Sequence, residues 1–286
     1  MTSSKGTLFG QLPSIRIEGQ LLDFSTPKVM GIVNLTPDSF VSESRAAQLD
    51  DVRRKVDEQL EAGADILDFG AYSSRPGALD ISVEKEWSRI GGILLALRAD
   101  GIDAPISIDT FRAEVARRAL EEGADIINDI SGGSDPDMFS LVAQSRAPYI
   151  LMHMQGTPQN MQDNPTYGNV VRDINLYLAQ KIRILHELGV HDIIADVGFG
   201  FGKTVDQNYA LLRELRQFHA LGVPLLVGVS RKSMINKVLG IKAAQALNGT
   251  SVLHAFALER GAAILRVHDV REAVEAVKLF QALRAD

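Results

Sequence analysis

Residues 123–129 read Gly123-Ala124-Asp125-Ile126-Ile127-Asn128-Asp129: a glycine, a short β-branched run, and two polar residues where the run stops. The glycine supplies the left-handed residue that ends a helix. The run has the length and composition of a strand buried on both faces. Working outward, Gly63, Gly189 and Gly261 precede similar runs at Ile66–Gly70, Ile193–Asp196 and Ile264–Val267. Alternating with them are runs at Val29–Asn34, Ile106–Asp109, Tyr149–His153 and Leu225–Gly228, each introduced by a proline (Pro27, Pro105, Pro148, Pro224). There a missing N–H costs little. Segments such as Asp51–Glu61, Val83–Arg98, Arg112–Glu121, Val170–Leu188 and Glu272–Leu283 have helical spacing and charged outer faces. The pattern repeats every two strands, and it predicts an α/β fold, the (β/α)8 TIM barrel, whose core layers draw on alternate strands. An open doubly wound sheet needs a topological switch and usually a glycine-rich dinucleotide turn, and neither is evident. Ser14–Phe24 alternates enough to form a short N-terminal β-hairpin around Glu18 and Gly19, plugging the barrel floor. The expected organisation is therefore an extension and hairpin over 1–27 and a single barrel over 28–286.

Composition sets the class. With 286 residues, 45% of them hydrophobic, the chain can bury a large core. A net charge of -6 and no long basic run argue against nucleic acid as a partner. The chain contains no cysteine, so disulfides, thiolate metal sites and cysteine nucleophiles are excluded. Met1–Gly10 lacks the apolar stretch of a signal peptide, and no run approaches the roughly 20 apolar residues that span a bilayer. The expectation is a cytoplasmic protein with no membrane partner.

In such a barrel chemistry gathers at the C-terminal ends of the strands. The runs here stop on Asn34, Asp68, Asp109, Asn128 with Asp129, His153, Asp196, Ser230 to Lys232, and Arg266 with His268. Two readings compete at each acidic or amide position, a ligand group or a helix cap. Asp109 reads equally as a cap, Asp269 reads as the cap of the last helix, Asp68 and Asp129 as holders of loop backbone, and His153 as a structural histidine. Capping does not explain Lys232, Arg266 and His268, which lie where barrels bind phosphate. Val197–Thr204, with three glycines around Phe199, Phe201 and Lys203, lacks Walker spacing. Its glycines suit close approach of backbone to a flat ligand with a Phe against it, the alternative being two core rings. Thr36–Leu49 and Ala71–Ile81 have the composition of lid loops, and the Arg75-Pro76-Gly77 turn can aim a guanidinium at a carboxylate.

Seven segments resemble the motifs of the dihydropteroate synthase family, in the family's order: Met30–Phe40, Ser73–Gly77, Ile127–Gly133, Met152–Pro158, Gly198–Lys203, Ser230–Ser233 and Arg266–Asp269. Singly each is weak, but in one register they are specific. The resemblance implies a transferase of folate biosynthesis that condenses 6-hydroxymethyl-7,8-dihydropterin pyrophosphate with p-aminobenzoate, giving 7,8-dihydropteroate and pyrophosphate. Asp109, Asn128, Asp196 and Lys232 would hydrogen-bond the pterin, with Met152 and Phe201 against its apolar surface. Asn34, Arg266 and His268 would hold the diphosphate, with Mg²⁺ bridging its oxygens and Asn34 as a protein ligand. Phe40, Ser74, Arg75, Pro76 and Ser233 would complete the p-aminobenzoate pocket. Ionisation comes first in this scheme, with Asp109, Asp196, Lys232, Arg266 and His268 as its catalytic groups, and sulfonamides would compete for the outer site. The family also implies a homodimer built on the later helices.

The chain departs from the commoner family pattern at Tyr72, where Glu is frequent, at Ser74 for Thr, at Val197 for Pro, and at Val41-Ser42-Glu43-Ser44. These changes bear on lid geometry, and Val197 frees a backbone angle beside Asp196. The competing functions are a pterin-binding methyltransferase domain and a catalytically silent pterin-binding paralogue. Retention of Lys232, Arg266 and His268 favours diphosphate chemistry over both.

Overall fold

The computed structural model describes residues 14–35, 45–73 and 80–284. Eight parallel strands, β3 (Lys28–Asn34), β4 (Ile66–Gly70), β5 (Ile106–Asp109), β6 (Ile126–Asp129), β7 (Tyr149–Met152), β8 (Ile193–Asp196), β9 (Leu225–Val227) and β10 (Ile264–Val267), pair in chain order, and β10 returns to β3 to close the barrel. Helices lie between them, among them α1 (Arg45–Glu61), α4 (Ala113–Glu121), α5 (Met138–Ser145), α6 (Val170–Glu187), α8 (Ser233–Leu239), α9 (Leu247–Glu259) and α10 (Val270–Arg284). The single helix expected over Val83–Arg98 is instead two, α2 (Val83–Ile90) and α3 (Ile93–Ala99). The break falls at Gly91-Gly92, where Gly92 takes a left-handed φ of 79°, and glycine costs little there but weakens a helix interior.

The glycines that precede alternate strands are left-handed as expected: Gly63, Gly123, Gly189 and Gly261 have φ of 96°, 100°, 81° and 86°. Below the barrel, β1 (Ile15–Ile17) and β2 (Gln20–Leu22) pair antiparallel across the turn Glu18-Gly19. Both turn residues have positive φ, 47° and 80°, which matches the twist of a two-residue hairpin loop. Ile15 and Phe24, 1% and 2% exposed, pack against the inward residues Met30, Ile66, Ile126, Ile150, Ile194, Leu226 and Ile264. Burying two such side chains contributes about 3–6 kcal/mol, and that is what seals the floor.

Candidate active site

Inward and outward side chains alternate along each strand, so the floor layer fixes what stands above it. Two residues beyond Ile66, Ile126, Ile150, Ile194, Leu226 and Ile264 come Asp68, Asn128, Met152, Asp196, Gly228 and Arg266. On β5 the inward positions are Ser107 and Asp109, in register with Asp68 and Gly70. An apolar layer is thus followed at once by a polar one at the C-terminal mouth.

Arg266 organises that polar layer. Its Nε donates to Asp68 Oδ2 at 2.6 Å and its Nη2 to Asp109 Oδ2 at 2.6 Å. Asp68, with its side chain fully buried, also accepts from Ser107 Oγ at 2.7 Å and from Asn128 Nδ2 at 3.3 and 3.2 Å. Burial lifts the Asp109 carboxyl to about 7, with Asp68 adding to the rise and Arg266 opposing it. Burial acts against the Arg266 cation as well, but Asp68 and Asp109 outweigh it and hold the guanidinium above its ordinary range.

Opposite stand Asp196 and Lys232. Asp196 Oδ1 accepts the Gly198 N–H at 2.7 Å, so its carboxylate is tied down although Val197 replaces the frequent proline. Lys232 Nζ donates to the Phe199 carbonyl and lies 4.7 Å from the centre of the Phe201 ring. Burial draws the Lys232 ammonium down to about 8 against the pull of Asp196. Phe199 itself is fully buried in the outer core, so the core reading holds for that ring, while Phe201 turns toward the mouth. Met152 is buried at the end of β7, in register with Asp196.

At the rim, His268 Nδ1 lies 3.0 Å from Ser230 Oγ, which also accepts the His268 backbone N–H at 3.2 Å. A hydroxyl already accepting that N–H serves best as donor to Nδ1, leaving the ring proton on Nε2. Partial burial and then the Arg266 cation push the imidazole below its usual pKa. The residue is nevertheless exposed, so water limits that effect. Asn34 ends β3 half-buried, and Ser233 opens α8 exposed.

Residues 30–268 match the family described as pterin binding enzyme. The chain is 42% identical over 267 residues to a dihydropteroate synthase of Escherichia coli (strain K12), covering 93% of this chain and 94% of that protein. The chain belongs to the dihydropteroate synthase family. Solved structures agree. A Yersinia pestis dihydropteroate synthase in a sulfonamide drug complex superposes with a TM-score of 0.89 at 39% identity, covering 96% of this chain and all of that one. The same TM-score is found at 38% identity for the Xanthomonas albilineans enzyme with 4-aminobenzoic acid, again covering 96% of this chain. This family member is accordingly an enzyme of the transferase class.

Asp109, Asn128, Met152, Asp196, Phe201, Lys232, Arg266 and His268 therefore converge on one mouth. Phe40, Ser74, Arg75 and Pro76, and with them the lid reading of residues 36–44 and 74–79 and the departures Val41–Ser44, lie outside the described residues. Three sequence readings need correction. Asp109 is not a cap: the carboxylate that accepts the Ala113 N–H at the start of α4 belongs to Asp135. Asp68 does not hold loop backbone; its bonded partners are the side chains of Ser107, Asn128 and Arg266. Asp269 sits at the start of α10, but its carboxylate clamps Arg231 through Nε at 2.8 Å and Nη2 at 2.6 Å. Asp129 does hold backbone, from Ser131 and Gly133, and His153 is structural, 7% exposed and bonded through Nδ1 to Lys203.

Asp68 and Ser230, both among the strand-end polar groups, turn out to support the site's other side chains, while Ser107 and Lys203 carry no site role in the strand-end reading. For Ser107 the available signal is a polar residue flanked by isoleucines, Ile106-Ser107-Ile108. Tyr72 bridges the rim, its hydroxyl donating to Asp80 Oδ1 at 3.1 Å and accepting from Gln159 Nε2 at 2.7 Å. A recess of about 650 Å³ opens at the other end of the barrel, beside Glu18, Arg146 and His191, and shares no residue with the polar mouth. Among the described residues no three His, Cys, Asp or Glu side chains converge to hold a metal.

Proposed function

We propose that this chain condenses 6-hydroxymethyl-7,8-dihydropterin pyrophosphate with p-aminobenzoate in the cytoplasm, forming 7,8-dihydropteroate and pyrophosphate. The observation that carries the reading is the pairing, on one mouth, of an acid and amide set (the half-buried Asp109 with the buried Asn128 and Asp196) and the cations Lys232 and Arg266. Acids and amides match the alternating donors and acceptors of a pterin edge and disfavour analogues that leave them unpaired. Met152 and Phe201 pack on the pterin, and Asn128 is held for this by Asp68. Arg266, the neutral His268 donor and Asn34 face the diphosphate, while Phe40, Ser74, Arg75, Pro76 and Ser233 serve the p-aminobenzoate side.

Asn34 would be the chain's own ligand to Mg²⁺, which would supply positive charge to offset the negative charge developing on the leaving group. Arg266 and His268 donate to the diphosphate oxygens as the carbon–oxygen bond breaks, and pyrophosphate departs before the arylamine attacks. Asp109 and Asp196, once ionised, stabilise the positive charge left on the pterin methylene. The arylamine nitrogen then forms the new bond to that carbon and loses a proton. No covalent enzyme intermediate is needed.

We also propose that a second copy covers the exposed apolar residues of α9 and α10. Val252 and Phe256, 46% and 49% exposed, and Leu279 and Leu283, 73% and 79% exposed, stand one helical turn apart on adjacent helices. A monomer rarely leaves such a patch uncovered.

Purified protein mixed with Mg²⁺, the dihydropterin pyrophosphate and p-aminobenzoate should release pyrophosphate and dihydropteroate together, and sulfonamides should slow both. Folded protein that yields neither product overturns the proposal. Light scattering of Phe256→Glu should report a monomer where the wild type is a dimer.

A further inference from the structure

The loop after β8 wraps two lysines, and only one of them, Lys232, has a place in the scheme above. Lys203 is 3% exposed. Its Nζ donates to the carbonyls of Phe201 at 2.8 Å, Gly198 at 2.9 Å and His153 at 3.2 Å, three acceptors for its three N–H groups, and lies 3.2 Å from His153 Nδ1. Among the described residues no carboxylate bonds it, and Asp196 acts on it only through space. A buried ammonium without an ionic partner is expensive, and burial draws this one down to about 7.

The loop between the two lysines is shaped for both. Gly198, Gly200 and Gly202 have φ of 70°, 82° and 61°. These left-handed residues turn successive carbonyls to different sides, so that those of Gly198 and Phe201 face Lys203 while that of Phe199 faces Lys232. At Gly198 a Cβ would collide with the His153 carbonyl oxygen, and at Gly202 one would lie 2.6 Å from the Gln155 carbonyl oxygen. The loop is thereby pressed against the end of β7, with Lys203 beneath it. What it presents above is the Phe199 carbonyl, the Phe201 ring and the Gly198 N–H that binds Asp196.

We propose that Lys203 is a positioning residue of the pterin pocket, its ammonium gathering the carbonyls of His153, Gly198 and Phe201 so that the loop fixes Lys232. This rests on the pterin reading of the mouth. Lys203 touches no substrate; it acts through Lys232. The same three carbonyls could be satisfied by water if the loop were free to open, so the cost of burying the charge is explained by a fixed loop.

A double-mutant cycle tests it. Binding of 6-hydroxymethyl-7,8-dihydropterin pyrophosphate, with Mg²⁺ and without p-aminobenzoate, is titrated by calorimetry in wild type, Lys203→Met, Lys232→Ala and the double variant, with a melting curve for each. Lys203→Met should weaken binding about tenfold in the wild-type background and less than about twofold when Lys232 is already alanine. A purely structural lysine would cost the same factor in both backgrounds, and that result overturns the proposal. If Lys203→Met gives no folded protein, Lys203→Gln, which keeps two N–H donors, goes through the same cycle. Failure of both to fold also overturns it, since the lysine then serves the whole barrel. Wild type that binds the pterin without turnover fails the catalytic reading alone, whereas wild type that does not bind it fails both.

Discussion

Replacing Asp68 by asparagine keeps its shape and removes one charge from beneath the pocket. Arg266 Nη2 lies 2.6 Å from both Asp68 Oδ2 and Asp109 Oδ2. The two carboxylate oxygens are therefore no more than about 5 Å apart, and at an effective dielectric of about 20 they repel by about 3 kcal/mol. That is worth about two pH units on Asp109, whose carboxyl is lifted to about 7 by burial first and by Asp68 in addition. If ionised Asp109 stabilises the developing cation, wild-type kcat/KM for the dihydropterin pyrophosphate rises with pH through about 7. It falls again as Lys232, drawn to about 8 by burial, loses its proton. In Asp68→Asn the repulsion is gone and Arg266 serves Asp109 alone. Both effects favour the ionised carboxylate, so the acid limb should move down by about 1–2 pH units while the alkaline limb stays. The peak should drop as well, because Arg266 and Asn128 lose an anionic partner. The assay is a pH profile of initial rates at low pterin substrate, where ionisations of the substrate are common to both proteins and cancel. An acid limb at the same pH in both, or one moved upward, would refute the coupling and with it the role of Asp109.

Gly198→Ala should lower the melting temperature and abolish pterin binding, since a left-handed alanine costs about 1–2 kcal/mol and its Cβ also strikes the His153 carbonyl. Gly189→Ala, equally left-handed at a φ of 81° but facing open space, should carry only the first cost and leave binding intact; equal effects would contradict the steric reading. His254, 1% exposed with an unpartnered Nε2, is drawn by burial to about 4. Because the unfolded imidazole binds its proton near pH 6.5, this group takes away up to about 3 kcal/mol of stability as pH falls from about 6.5 toward 4. The advantage of His254→Leu in thermal melts should therefore grow between pH 7 and pH 5; a constant difference would exclude it. Chelating divalent ions should stop product formation, and Asn34→Ala should raise the Mg²⁺ needed for half-maximal rate; full turnover in chelator would dismiss the metal.

Much of this was legible because it depends on local rules. The apolar runs, the left-handed glycines before β4, β6, β8 and β10, and the polar residue at each strand end all follow from period and backbone conformation within a few residues. Closure into a barrel followed from counting the repeats. Where the helix over Val83–Arg98 breaks was also written locally, in Gly91-Gly92, but two glycines in a strong apolar pattern were outweighed by the pattern.

Pairing was not legible. Nothing near residue 68 in the sequence announces that its carboxylate meets a guanidinium 198 positions away, or that Asp109 competes for the same Arg266. The sequence by itself determined which side chains face inward at the mouth, since alternation along a strand needs only the strand. Which of them neutralise one another, and which titrate near neutrality, was decided by tertiary structure. Charges interact through space and through the water that burial removes, and both depend on distances set when β10 closes against β3.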